Sequence, residues 1–115
     1  MVWLWASAAL MLVTALTHSI LGEVRLIGPL LRGRHGVMAN DFARTIVRAA
    51  WHITAVLMAG SAITVVWPGA PVDLVRAIGA IWLALGIIDL VWTRGKHVGW
   101  PMLSAAGLCA LVGAA

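Results

Sequence analysis

Charge is scarce in this sequence. Of 115 residues, 10% are charged and 63% are hydrophobic. A soluble domain carries about 25% charged and about 45–50% apolar residues, and a chain this short buries only part of its apolar surface on folding. The shortage of charge excludes a soluble enzyme, a disordered chain and a secreted disulfide scaffold, and leaves an integral membrane protein. Cysteine is nearly absent. Cys109 stands alone in an apolar stretch, which excludes an internal disulfide and reads as a buried packing thiol. Acids number four against eight basic residues, a net charge of +4. A basic surplus can mark nucleic-acid binding, but these cations are scattered between apolar runs and read as a topology signal, with no nucleic-acid partner. No Lys or Arg precedes the first apolar core, and that core is too long for a signal peptide.

What the sequence does have is four long apolar runs. Residues 1–22 contain no Asp, Glu, Lys or Arg, and about 20 such residues cross a bilayer as a helix. The stretch from Glu23 to Arg48 is polar, holds Gly28, Pro29, Gly33 and Gly36, and reads as a loop leading into a second helix. Asn40 or Asp41 is the expected N-cap of that helix. Residues 49–72 carry no formal charge and end in the turn signal Trp67-Pro68-Gly69-Ala70-Pro71. A third run extends from Leu74 to Trp92. A fourth begins at Val98, with Pro101 in its first turn, where proline is tolerated. The predicted spans are 2–22, 45–67, 74–92 and 98–115. The expected fold is all-α: one transmembrane domain, a four-helix bundle with antiparallel up-down topology.

Lys and Arg are enriched in cytoplasmic loops. The first and third loops with their flanks hold Arg25, Arg32, Arg34, Arg44, Arg48, Arg94 and Lys96, while the middle turn has only Arg76. This bias places those two loops in the cytoplasm and both termini on the other side of the membrane. Trp3, Trp5 and Trp67 then mark the outer interface, Trp92 and Trp100 the inner one, and mid-span Trp82 is read as packing. Small residues at four-residue spacing (Ala55 and Ala59, Ala80 and Ala84, and Ala106, Ala110 and Ala114) predict close helix packing.

Polar groups inside spans are costly and usually face protein. His18, His52 and Asp89 stand out, with Glu23 nearby. In an antiparallel bundle each lies about four to eight residues from a loop end, or roughly 6–12 Å deep at 1.5 Å per residue. The expectation is a pocket in the cytoplasmic leaflet lined by His18, His52 and Asp89, with Glu23 or Arg48 at its mouth. Arg44, Arg48 and His52 are spaced by four and share a helix face. If that face points inward, Arg48 pairs with Glu23 or Asp89; if outward, the arginines snorkel to lipid phosphates. Each group also has a plainer reading: hydrogen-bonded interior imidazoles for His18 and His52, a neutralising partner for Asp89, and a solvated helix-end acid for Glu23. His35 and His97 are expected in solvent, and Arg25, Arg32, Arg34 and Lys96 against anionic headgroups.

The run His18-Ser19-Ile20-Leu21-Gly22-Glu23, followed by Arg25, Arg48 and Trp51-His52, resembles an uncharacterised family of small bacterial four-helix membrane proteins. The resemblance covers about half the chain. It implies a bacterial membrane and gives weight to His18, Glu23, Trp51 and His52, but it brings no activity.

Three function classes remain open. One is an accessory, non-catalytic protein whose partners are the bilayer with its anionic headgroups, a second copy, or a membrane complex. The second is a haem or divalent-metal site using His18 and His52, with Asp89 as a further ligand, since imidazole and carboxylate are ordinary ligands. No Cys-x-x-Cys or His-Glu-x-x-His motif accompanies them. The third is a small proton-coupled transporter. The chain resembles the small multidrug resistance exporters in size, but those carry a membrane-embedded Glu in helix one, where this chain has His18. A hydrolase is disfavoured: Ser19 adjoins His18, and neighbouring helix residues point about 100° apart.

Overall fold

Proline at position 29 shapes the first helix. It has no N–H to give the carbonyl four residues back, and its ring crowds that carbonyl. The computed structural model, which describes residues 1–115, absorbs this by widening one turn. α1 (Val2–Gly22) runs without a break through a π-turn (Glu23–Ile27) into the short α2 (Gly28–Arg32). In the π-turn the Gly28 N–H reaches the Glu23 carbonyl, five residues back. A side chain at position 28 would sit 2.8 Å from that carbonyl oxygen, so the wide turn needs glycine there. The sequence reading ended this helix at residue 22 and began a loop. The helix instead continues for 31 residues, Val2–Arg32, about 46 Å at 1.5 Å per residue, against a hydrocarbon core of about 30 Å.

Arg34 (φ 49°) and Gly36 (φ 56°) take left-handed conformations and turn the chain into a 3₁₀ turn (Gly36–Ala39). Asn40 then caps α3 (Asp41–Val66), its Oδ1 accepting from the Ala43 N–H at 3.0 Å. α3 stops at Trp67, which is extended (ψ 127°) because Pro68 follows. α4 (Val72–Thr93) ends with Arg94 and Gly95 left-handed and the Gly95 N–H on the Leu90 carbonyl at 2.9 Å. α5 (Gly99–Gly113) completes an all-helical chain with no strand.

α1 packs against α3 on one side and α5 on the other, and α5 packs against α4. α3 and α4 barely touch, although the turn Trp67–Pro71 joins them. A core of Ala8, Met11, Ala62, Val65, Val75, Trp82, Ala106, Ala110 and Ala114 draws on all four long helices. The expected alanine stripe of α5 is buried in it. On α4 the packing stripe differs from expectation: Ala80 and Ala84 face outward, and Gly79, Trp82 and Gly86 face in. A Cβ at Gly86 would strike Ser104, and one at Gly107 would strike the Leu83 backbone, so these glycines let α4 and α5 approach closely.

Only 19 of 115 residues are buried, and Leu16, Ile20, Val56, Leu57 and Val91 are exposed on the helix surfaces. Helices apolar around their whole circumference suit lipid. α1 with its extension, α3 and α4 are long and apolar enough to cross a membrane. α5, at 15 residues, is apolar but shorter than a typical span.

Candidate functional site

Residues four apart on a helix form rows. α1 and the π-turn that continues it offer two, His18 with Gly22 and Ser19 with Glu23. α3 offers Trp51 beside the row Arg44, Arg48 and His52. The two helices meet row to row.

The His18 and Trp51 rings stack with centroids 4.1 Å apart and planes 10° apart. The Trp51 indole N–H donates to the His18 carbonyl at 2.9 Å. His18 Nε2 lies 3.2 Å from the Trp51 carbonyl; a carbonyl only accepts, so Nε2 carries the proton. Gly22 makes room for the indole, which would overlap a Cβ at that position.

In the second row, Glu23 bridges two residues of α3. Its Oε1 lies 2.8 Å from an Arg48 guanidinium nitrogen, and its Oε2 3.0 Å from His52 Nε2. The other nitrogen of His52, Nδ1, lies 2.5 Å from Ser19 Oγ. The result is a continuous chain Ser19–His52–Glu23–Arg48. Its members are part-exposed (Glu23 33%, His52 36%, Arg48 48% for the side chains), so it sits at the helix surface. Below it, Arg44 donates through Nε to the Leu31 carbonyl at 3.0 Å, closing the end of α2, and pairs with Asp41 at 3.2 Å. Arg34 reaches the same carboxylate at 3.5 Å. An open groove of about 480 Å³ runs along this face, lined by Asp41, Arg44, Thr45, Arg48, Ala49 and His52.

Asp89 stands apart from this group. Its Oδ2 lies 2.6 Å from Nδ1 of His97, the loop histidine read as solvated. The reason is packing: α4 pairs with α5 and hardly meets α3, so Asp89 faces the α4–α5 corner. Arg48 accordingly pairs with Glu23 and not with Asp89. Glu23, read as a rim residue, is the hub. His18, His52 and Asp89 form no common ligand set, and no three His, Cys, Asp or Glu side chains converge. Both nitrogens of His52 are engaged, and His18 Nε2 faces a carbonyl. The donor set does not fit a haem iron or a metal shared by the two histidines.

Sequence reasoning did not name Ser19, Gly22 and His97 as site residues, and gave Trp51 weight only through the resemblance. The objection to Ser19 concerned His18 alone, whereas its hydroxyl meets His52 from the neighbouring helix. Pairing Ser19 with Glu23 and His18 with Gly22 at four-residue spacing would have exposed both rows. No protein-family model, curated protein or solved structure matches this chain.

Proposed function

We propose that this chain is an accessory, lipid-contacting protein of the bacterial inner membrane that holds anionic headgroups on the basic face of α3. The observation that supports it most is the groove beside Arg44, Arg48 and His52, at the end of the apolar runs. The segment from Glu23 to His52 carries five arginines against two carboxylates, and a surplus of this sign attracts anionic lipid, each cation near the surface contributing about 1 kcal/mol. In this reading the four long helices form an antiparallel up-down bundle, with the loops near Arg32 and Gly95 in the cytoplasm and both termini in the periplasm. The Glu23 network ties α1 to α3 beside the groove.

The test is thermal unfolding of the purified chain in mild detergent, titrated with phosphatidylglycerol or phosphatidylcholine. A lipid that binds the folded state raises the melting temperature by mass action. Phosphatidylglycerol should raise it and phosphatidylcholine should not, and added salt should weaken the effect. Equal shifts from both lipids would refute the proposal.

A further inference from the structure

Helix hydroxyls in this chain follow a habit. Thr14, Thr45, Thr54, Ser61, Thr64 and Thr93 each donate to the carbonyl four residues back. Ser7 and Ser19 depart from it and reach across to a neighbouring helix, Ser7 to the Ala106 carbonyl and Ser19, alone among them, to a side-chain nitrogen, His52 Nδ1. The protonation pattern there follows from the partners. A carboxylate only accepts, so His52 Nε2, facing Glu23, carries the ring proton. In the neutral ring Nδ1 is then the bare lone pair, and the Ser19 O–H donates to it. A carboxylate that fixes the tautomer of an imidazole, which in turn accepts from a hydroxyl, is the arrangement that activates a serine. Arg48 on the far oxygen of Glu23 holds that carboxylate in place.

We propose that Ser19 is an activated nucleophile that takes an acyl group from a carboxylic ester at the membrane boundary, with His52 as general base and Glu23 as the residue that positions the base. Depth selects the ester class. The apolar helix Val2–Gly22 has 21 residues, about 30 Å of helix, which matches the hydrocarbon core. Ser19 lies about one turn inside its end, at the level where acyl chains join their headgroups. The substrate class is an ester with an apolar acyl chain, and an anionic headgroup would lie toward Arg44 and Arg48 in the groove that reaches His52. This placement rests on the lipid-facing reading above; the reactivity of Ser19 does not.

In the forward step Ser19 Oγ bonds to the ester carbonyl carbon while its proton passes to His52 Nδ1. The tetrahedral species collapses, the bond to the alcohol oxygen breaks, and His52 returns the proton to that oxygen. Water then attacks the acyl-serine carbonyl, again giving its proton to His52. The acyl–Oγ bond breaks, Ser19 regains the proton, and a carboxylic acid leaves. The backbone N–H groups around Ser19 lie within the helix. The reaction therefore runs without a set of free oxyanion donors, and each such donor is worth about 10²–10³ in rate. Turnover is accordingly slow, and a covalent trap is the appropriate readout.

The test treats the full-length chain in mild detergent with a long-chain alkyl fluorophosphonate. Attack breaks the P–F bond, fluoride leaves, and the serine proton goes to His52. Peptide mass spectrometry should find the adduct on Ser19 and none on Ser7, whose hydroxyl donates to the Ala106 carbonyl at 2.8 Å. His52→Gln should slow labelling by about 100-fold or more, and Glu23→Gln, which keeps an acceptor oxygen, by less. The comparison of Ser19 with Ser7 in the unaltered chain needs no variant to fold. An unlabelled Ser19, equal labelling of the two serines, or His52→Gln labelling at the parent rate would overturn the proposal. The phosphatidylglycerol titration reads the headgroup reading separately.

Discussion

His18 and Trp51 exchange hydrogen bonds across the α1–α3 contact, each side chain reaching the other residue's carbonyl while the two rings stack. A slip of either helix by one residue would break both bonds and the stack together, so the pair fixes the register of α1 on α3. That register brings Ser19 and Glu23 to His52. The His18–Trp51 contact therefore acts as the scaffold of the polar chain beside it.

Gly22 supplies the space for this contact, and Gly22→Ala should break it. A Cβ there meets the Trp51 indole, whereas one at Gly60 on α3 meets nothing within 4 Å. Overpacking costs about 1–3 kcal/mol, while an open helix glycine replaced by alanine gains up to about 1 kcal/mol. Thermal unfolding in detergent should show Gly22→Ala lowering the melting temperature and Gly60→Ala leaving it level or raising it. Equal effects would mean that the indole does not lie against α1.

Charge coupling should run from Arg48 to Glu23 and not to Asp89. In a double-mutant cycle, Glu23→Gln and Arg48→Gln should be non-additive by about 0.5–1 kcal/mol, the modest value expected of a half-exposed pair. Asp89→Asn and Arg48→Gln should add, because Asp89 bonds His97. Coupling of Asp89 to Arg48 would place α4 against α3 and contradict the packing of α4 on α5.

The fold was legible where one physical effect dominated. Apolar runs gave the long helices, and Asn40 was visible as a cap because its side chain satisfies a free N–H. The stretch after Glu23 misled for a local reason: Gly28-Pro29 usually breaks a helix, and here a π-turn absorbs it. The site was half legible. Rise per residue fixes depth, and it put His18, His52 and Asp89 at similar depths. Depth says nothing about which helices are neighbours, and α4 turned out to pack on α5. Asp89 therefore found His97, and the residue that completed the chain to His52 was Ser19.

The α4–α5 seam should tolerate bulk on one face and not on the other. Ala80 and Ala84 are exposed, whereas Gly86 and Gly107 sit where a Cβ meets Ser104 or the Leu83 backbone. Gly86→Ala and Gly107→Ala should each cost about 1–3 kcal/mol by forcing the helices apart. Ala80→Leu and Ala84→Leu should stay within about 0.5 kcal/mol. Melting temperatures of the four variants decide it. The opposite ranking would mean that the alanine stripe, and not the glycine stripe, forms the seam.

Orientation is the prediction on which the lipid reading depends most. Seven of the eight basic residues lie in or beside the segments around Arg32 and Gly95, and one, Arg76, lies near the turn at Gly69. Cytoplasmic enrichment of Lys and Arg then puts Gly33 inside and Gly69 outside. Both positions suit a reporter, because Gly69 lies in a turn where a Cβ meets nothing within 4 Å, and Gly33 follows the end of α2. With Cys109 changed to alanine, a single cysteine at position 69 should react with an impermeant maleimide in intact cells, and one at position 33 only after lysis. Gly69 has φ 81°, so a cysteine there carries backbone strain; position 68, exposed in the same turn, provides a second site with the same expected labelling. The reverse pattern would put Arg44, Arg48 and the Glu23 network on the periplasmic side. The headgroup groove would then face the other leaflet, and the positive-inside argument for it would fail.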